Sequence, residues 1–125
     1  MTMFEDVLAF HEKYGAAIGE YPHIPGDAEL ALRERLIDEE YLETKEAFAN
    51  RDLEKIADGI TDLIYVLLGT GATFGIDMDH IFRIVHESNM SKDGGNDAGG
   101  KIIKGPGFIP PDIKGALEEQ GAWMQ

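Results

Sequence analysis

The chain has 125 residues, of which 43% are hydrophobic and 28% charged, the profile of one globular domain spanning 1–125. Its 24 acids against 11 bases give a formal charge of −13, which disfavours a nucleic-acid partner because phosphate backbones would be repelled. The absence of cysteine excludes disulfides, zinc–thiolate sites and a cysteine nucleophile. The same charge repels a free triphosphate unless bound cations neutralise some of the acids, so composition already points toward metal use.

Phe4, Val7, Leu8, Phe10, Tyr14 and Ile18 recur at spacings of three and four, which predicts a first helix over 3–18. Its start carries Glu5 and Asp6 and lacks the basic opening and continuous apolar run of a signal peptide. The longest apolar run, Leu63 to Leu68, is too short to span a bilayer, so the expectation is a cytoplasmic protein with no membrane partner. A loop with Pro22 and Pro25 follows, and Asp27 is a plausible N-cap for a second helix to about Phe48. That helix is expected to bury Leu32, Leu36, Ile37 and Ala47. After Asn50-Arg51-Asp52, a third helix from Leu53 to about Phe74 carries Ile56, Ile60, Leu63, Ile64, Leu67 and Leu68, the apolar content of a central helix. Gly75 suits the position just past its end, and Asp77 suits the cap of a fourth helix over 78–89 with Ile81, Phe82, Ile84 and Val85 inward. Residues 91–125 read as a tail: a polar glycine-rich loop, a basic stretch at 101–106, and a short helical turn near 112–119 after Pro110-Pro111. Strand-like alternation is nearly absent, so the expected fold is an all-α four-helix bundle.

Two acid clusters carry the chemistry. On the second helix Glu40 and Glu43 are i,i+3 neighbours, Glu39 and Glu43 i,i+4, and Glu46 lies one turn further. Such pairs of like charge each destabilise a helix by roughly 0.2–0.5 kcal/mol, a repulsion that a divalent cation converts into coordination. The plain alternative is a solvated acidic face. On the third helix Asp58 and Asp62 are i,i+4, and six apolar residues follow Asp62 directly. A carboxylate in such a place needs a partner. Lys45 or Arg51 could supply a structural salt bridge, and a metal shared with Glu40 and Glu43 is the functional reading. Oxygen-only ligands suit Mg²⁺, with Mn²⁺ as a substitute, and argue against zinc.

These residues resemble the all-α nucleoside triphosphate pyrophosphohydrolases. The chain looks like a single-domain MazG-like member of that superfamily, which includes phosphoribosyl-ATP pyrophosphohydrolase and dimeric dUTPases. The family pattern is an E-x-x-E pair on one helix and an E-x-x-D pair on the next. Here the first is Glu40-Tyr41-Leu42-Glu43, preceded by Glu39. The second departs from the pattern, with Gly59 where glutamate is expected and Asp58 one residue earlier. Tyr65 to Thr70, Phe74 to Asp77, Val85 to Lys92, and Lys101 to Pro106 with Pro110-Pro111 extend the likeness over nearly the whole chain.

The resemblance implies Mg²⁺-dependent cleavage of nucleoside triphosphates between the α- and β-phosphates, giving a monophosphate and pyrophosphate. Glu40, Glu43 and Asp62 are the implied metal ligands, with Asp58 next. Glu39 is a further ligand or the base that orients the attacking water, and it completes the catalytic set Glu39, Glu40, Glu43 and Asp62. Asn89, Lys92 and Lys104 are candidate phosphate or sugar contacts, against the reading of a solvated loop. Homodimers or homotetramers are implied, as is a lean toward purine deoxynucleotides such as dGTP. His11, beside Phe10 and Tyr14, has a packing role or helps frame a base, and Trp123 stacks on a base or packs on a partner subunit.

A di-iron carboxylate bundle would need two E-x-x-H motifs, and the one match, Glu20-Tyr21-Pro22-His23, falls in the proline loop. A non-enzymatic acidic helical module that binds a partner protein explains the charge but gives Asp62 no purpose.

Overall fold

The computed structural model describes residues 1–122 and is all-helical, as expected. Five helices follow in order: α1 (Met3–Tyr14), α2 (Asp27–Ala49), α3 (Leu53–Thr73), α4 (Met78–Asn89) and α5 (Ile113–Glu119). α3 is the middle element, with α2 along one side in the most extensive pairing of the fold and α1 along another. The chain then bends by 115° between α3 and α4, and α5 packs on α4. Among the described residues no single helix is long and apolar enough to cross a membrane.

Local chemistry explains most boundaries. Thr2 and Glu5 form a reciprocal capping box at the start of α1. α1 ends at Tyr14, four residues before the expected Ile18, because Gly15 turns left-handed (φ 70°) and the Ala16 amide closes back on the His11 carbonyl. Asp27 is the first helical residue of α2 and not its cap; Gly26 occupies that position and offers no side chain. Asp52 caps α3 through the Lys55 amide, and Asp77 caps α4 through the amides of Asp79 and His80.

α3 ends in a double return bond, Gly75 N–H to the Ala72 carbonyl and Ile76 N–H to the Gly71 carbonyl, with Gly75 at φ 72°. The tail is ordered by its own polar groups. Asp93 accepts from the Gly107 amide, Asp97 accepts from the amides of Gly99 and Lys101, and an isolated antiparallel bridge joins Asn96 to Ile102. The Gln120 side chain fastens α5 to α4, accepting from the Asp77 amide at 2.8 Å and returning a bond to the Asp77 carbonyl at 3.3 Å.

Burial departs from the sequence pattern. The buried positions of α3 are Gly59, Gly69, Gly71, Ala72 and Thr73, while its large residues Ile60, Ile64 and Leu67 stay exposed. On α2 only Ala47 of the expected four is fully buried, joined by Arg33 and Thr44; Leu32, Leu36 and Ile37 are half-buried. Phe82 of α4, expected inward, is 71% exposed. Close helix approach explains this: α3 gives its neighbours a small-residue seam, so its bulky side chains splay to the flanks.

Gly15 and Gly75 separate two costs of a left-handed glycine. A β-carbon at Gly15 meets nothing within 4 Å, whereas one at Gly75 overlaps the Tyr21 carbonyl. Gly15→Ala is therefore expected to cost about 1 kcal/mol of conformational strain. Gly75→Ala adds the steric clash and should cost at least twice as much, by roughly the margin expected of overpacking. Urea unfolding of both variants checks the ordering, and equal losses would contradict it.

Candidate active site on the paired helices

The turn at Asn50–Asp52, with Arg51 left-handed at φ 51°, folds α3 back along α2 and sets their register. Residues equidistant from the turn meet: Thr44 lies against Gly59, and Arg33 Nε reaches Thr70 Oγ1 at 3.3 Å. Between these two contacts the acids of α2 are brought opposite those of α3.

Glu40 is the centre of this arrangement. Its Oε2 is shielded from solvent and has no hydrogen-bond partner. Its carboxyl is held above the usual glutamate range, chiefly by burial, then by the charges of Glu43, Asp62 and Glu39, with a hydrogen bond to Glu43 acting in the same direction. Glu43 and Asp62 thus lie near enough to Glu40 for their charges to act on it, and Asp62 is half-buried rather than sealed in a core. Glu43 and Asp58 line a neighbouring groove of about 280 Å³ with Glu46, Asn50, Lys55 and Gly59. Glu39 is exposed and pairs with Arg35 at 3.8 Å, an ion pair of little energetic weight.

Neither proposed structural cation reaches Asp62. Among the described residues the ion pairs are Arg35–Glu39 and His80–Glu119, while Lys45 lies over the Tyr41 ring and Arg51 forms the turn. Among the described residues Glu40 and Asp62 therefore have no ion-paired cation, whereas Lys55 shares the groove of Glu43 and Asp58. The hard oxygen donors of these acids and one orphaned shielded oxygen fit a small divalent cation. Among the described residues no three such groups are gathered into an ion site.

The other candidates sit elsewhere. Asn89 ends α4, Lys92 follows it, and Lys104 lies over the Phe108 ring at 5.1 Å. None of the three lines the acid groove of the same chain. His11 is buried, with Nδ1 3.0 Å from the Ala17 carbonyl, which matches its packing role. Phe10 contacts Tyr14 and Tyr65, with ring centroids 4.8 and 5.3 Å away. Trp123 lies outside the described residues.

Three residues of the seam escaped sequence reasoning. Thr44 donates to the Glu40 carbonyl at 2.7 Å, and Gly59 packs against Thr44. Arg33 is only 6% exposed and is satisfied by neutral acceptors, Thr70 Oγ1 and the Val66 carbonyl; burial pushes its pKa down, opposed by the charge of Glu29. The readable signal was a threonine and a glycine standing beside the acids of two helices joined by a short turn.

An all-helical chain whose paired central helices face carboxylates toward each other has the architecture of a MazG-like NTP pyrophosphohydrolase domain. Residues 7–89 match the phosphoribosyl-ATP pyrophosphohydrolase family, and the chain belongs to that family, a branch of the MazG-like superfamily. It is also similar to an uncharacterized protein of Acanthamoeba polyphaga mimivirus, 43% identical over 51 residues. That segment is 41% of this chain and spans only 20% of the viral protein.

Because the folded state raises the Glu40 pKa, it binds that proton more tightly than the unfolded chain does. In chelator, the fold should therefore gain stability as pH falls from neutral through the raised Glu40 pKa, the gain being complete below the unfolded value. Glu40→Gln should melt above the native protein at pH 7 in EDTA, with the difference shrinking toward the ordinary glutamate range. Thermal melts across pH check this, and identical profiles for the two proteins would refute it.

Proposed function

We propose that the chain hydrolyses nucleoside triphosphates between the α- and β-phosphates, releasing a nucleoside monophosphate and pyrophosphate. The observation that carries this reading is the shielded, unpartnered oxygen of Glu40, facing acids of both helices with no protein cation beside it. Glu40, Glu43 and Asp62 would hold Mg²⁺, with Asp58 next and Mn²⁺ as a substitute. When bound, the ion supplies positive charge that offsets the phosphates and the charge developing on the leaving pyrophosphate. Glu39 is exposed beside the cluster and free to exchange Arg35 for water, which suits it to orient the attacking water as a general base. With such an ion bound, the acid set would no longer repel the substrate phosphates.

We assign Asn89, Lys92 and Lys104 to phosphate or sugar contacts. Their place on the α4 end and the tail, apart from the acids of their own chain, favours delivery to the site of a second copy. A homodimer, or a tetramer built from it, would also cover Ile60, Ile64 and Leu67. Among substrates we favour purine deoxynucleotides, dGTP first.

The test is incubation with a panel of NTPs, dNTPs and phosphoribosyl-ATP, with and without Mg²⁺, scored for monophosphate plus pyrophosphate. Turnover should require the ion, and Asp62→Asn and Glu43→Gln should each lose about 100-fold or more, the scale of losing a preorganised charge contact. Activity retained in both variants would remove these residues from the site. No turnover of any nucleotide would favour the alternative, an acidic module that binds a partner protein. Sedimentation should give twice the chain mass or a multiple of it, and a monomer would contradict delivery across subunits.

A further inference from the structure

Gly59 stands inside α3, between Asp58 and Asp62, and packs against Thr44 of α2. A β-carbon there would lie 2.8 Å from Thr44 Oγ1, 3.2 Å from Thr44 Cα and 3.3 Å from Thr44 Cβ. The obstacle is the α2 backbone itself, together with a hydroxyl already committed to the Glu40 carbonyl at 2.7 Å. The other buried glycines of α3 differ. Gly69 faces the ends of the Arg33 and His11 side chains, and Gly71 faces the Met78 side chain, so neither meets a neighbouring helix backbone.

The position of the contact matters more than its tightness. Thr44 adjoins Glu43 and lies one turn from Glu40, while Gly59 adjoins Asp58 and lies one turn short of Asp62. Helix axes pack about 8–10 Å apart, the value depending on the side chains at the contact. With hydrogen on one side and a threonine on the other, this contact has the side chains that permit the short end of that range. A mid-helix glycine costs about 1 kcal/mol relative to alanine, so the close approach is maintained against propensity. A larger residue at 59 would crowd the Thr44 hydroxyl, and Asp58, one residue earlier, lines the groove.

The geometry points to Gly59 and Thr44 as a positioning pair that holds α2 and α3 at the separation at which their acids share a small cation, selecting Mg²⁺ over larger ions. This rests on the metal reading above and deepens it. Mg²⁺ demands oxygen ligands near about 2.0–2.1 Å in octahedral order, whereas Ca²⁺ accepts about 2.3–2.6 Å and irregular shells. A methyl group at 59 forces the helices apart by tenths of an ångström, which penalises the smaller ion more.

The experiment is calorimetric titration of Mg²⁺ and of Ca²⁺ into nucleotide-free protein, with circular dichroism melts, for the native chain, Gly59→Ala, Thr44→Ala and the double variant. Gly59→Ala is expected to weaken Mg²⁺ by about tenfold or more, the scale for outer-shell support of a metal site. Ca²⁺ should weaken by less than about threefold because its shell adapts. The double variant, in which loss of the Thr44 hydroxyl makes room for the new methyl, should regain most of the Mg²⁺ preference. A folded Gly59→Ala with an unchanged Mg²⁺ to Ca²⁺ ratio overturns the inference and leaves the metal reading standing. A native chain that binds neither ion overturns the metal reading and the inference together. If Gly59→Ala does not fold, the double variant decides: a near-native ratio supports the pair, and a lost preference refutes it.

Discussion

Two helices, joined by a short turn, are packed closely enough that their carboxylates must face each other. The apposition of Glu40 with Glu43 and Asp62 is unfavourable by Coulomb's law, and burial of one Glu40 oxygen makes it worse. Nothing in the helix seam relieves it. Thr44 spends its hydroxyl on the Glu40 carbonyl, and Arg33, the cation in the same seam, bonds neutral acceptors about 10 Å further along α2 by helical rise. Local stability is given up to keep an electrostatically hungry site, the usual sign that a constellation is kept for binding.

The seam also shapes the rest of the chain. Because α3 presents glycine, alanine and threonine to its neighbours, α2 and α1 both approach closely. The fully buried apolar side chains are then few, Phe4, Val7, Ala47, Ala72 and Ala116 among the described residues, and the larger ones lie on the flanks. A domain built this way gains little from its own core, and Ile60, Ile64 and Leu67 stay exposed. The same flank-lying side chains leave Phe10, Tyr14 and Tyr65 clustered at the α1–α3 surface.

Charge is divided unevenly along the chain. The clustered acids lie on α2 and α3, whereas Lys92, Lys101 and Lys104 belong to a tail whose Asp93 and Asp97 carboxylates accept from backbone amides. Those lysines are therefore left without neutralising partners in their own hairpin. A cationic arm and a carboxylate seam on one molecule, set apart within it, are complementary parts.

Helix identity and most boundaries were legible in the sequence, since apolar spacing, Asp52, Asp77 and Gly75 act through bonds only a few residues long. The acid clusters were legible for the same reason: spacing along a helix places Glu40 with Glu43, and Asp58 with Asp62, before any tertiary contact forms. The end of α1 at Tyr14 and the glycine cap of α2 were misread because an apolar period can run past a backbone stop. What only the tertiary structure decided was separation and facing. Periodicity marks which side of a helix is apolar but not how near the next helix comes, so it could not tell that small residues rather than Ile60, Ile64 and Leu67 fill the seam. Nor could it tell that Gly59 meets the α2 backbone or that Asp62 has no protein cation. Those are distances between residues far apart in the chain, and packing alone sets them.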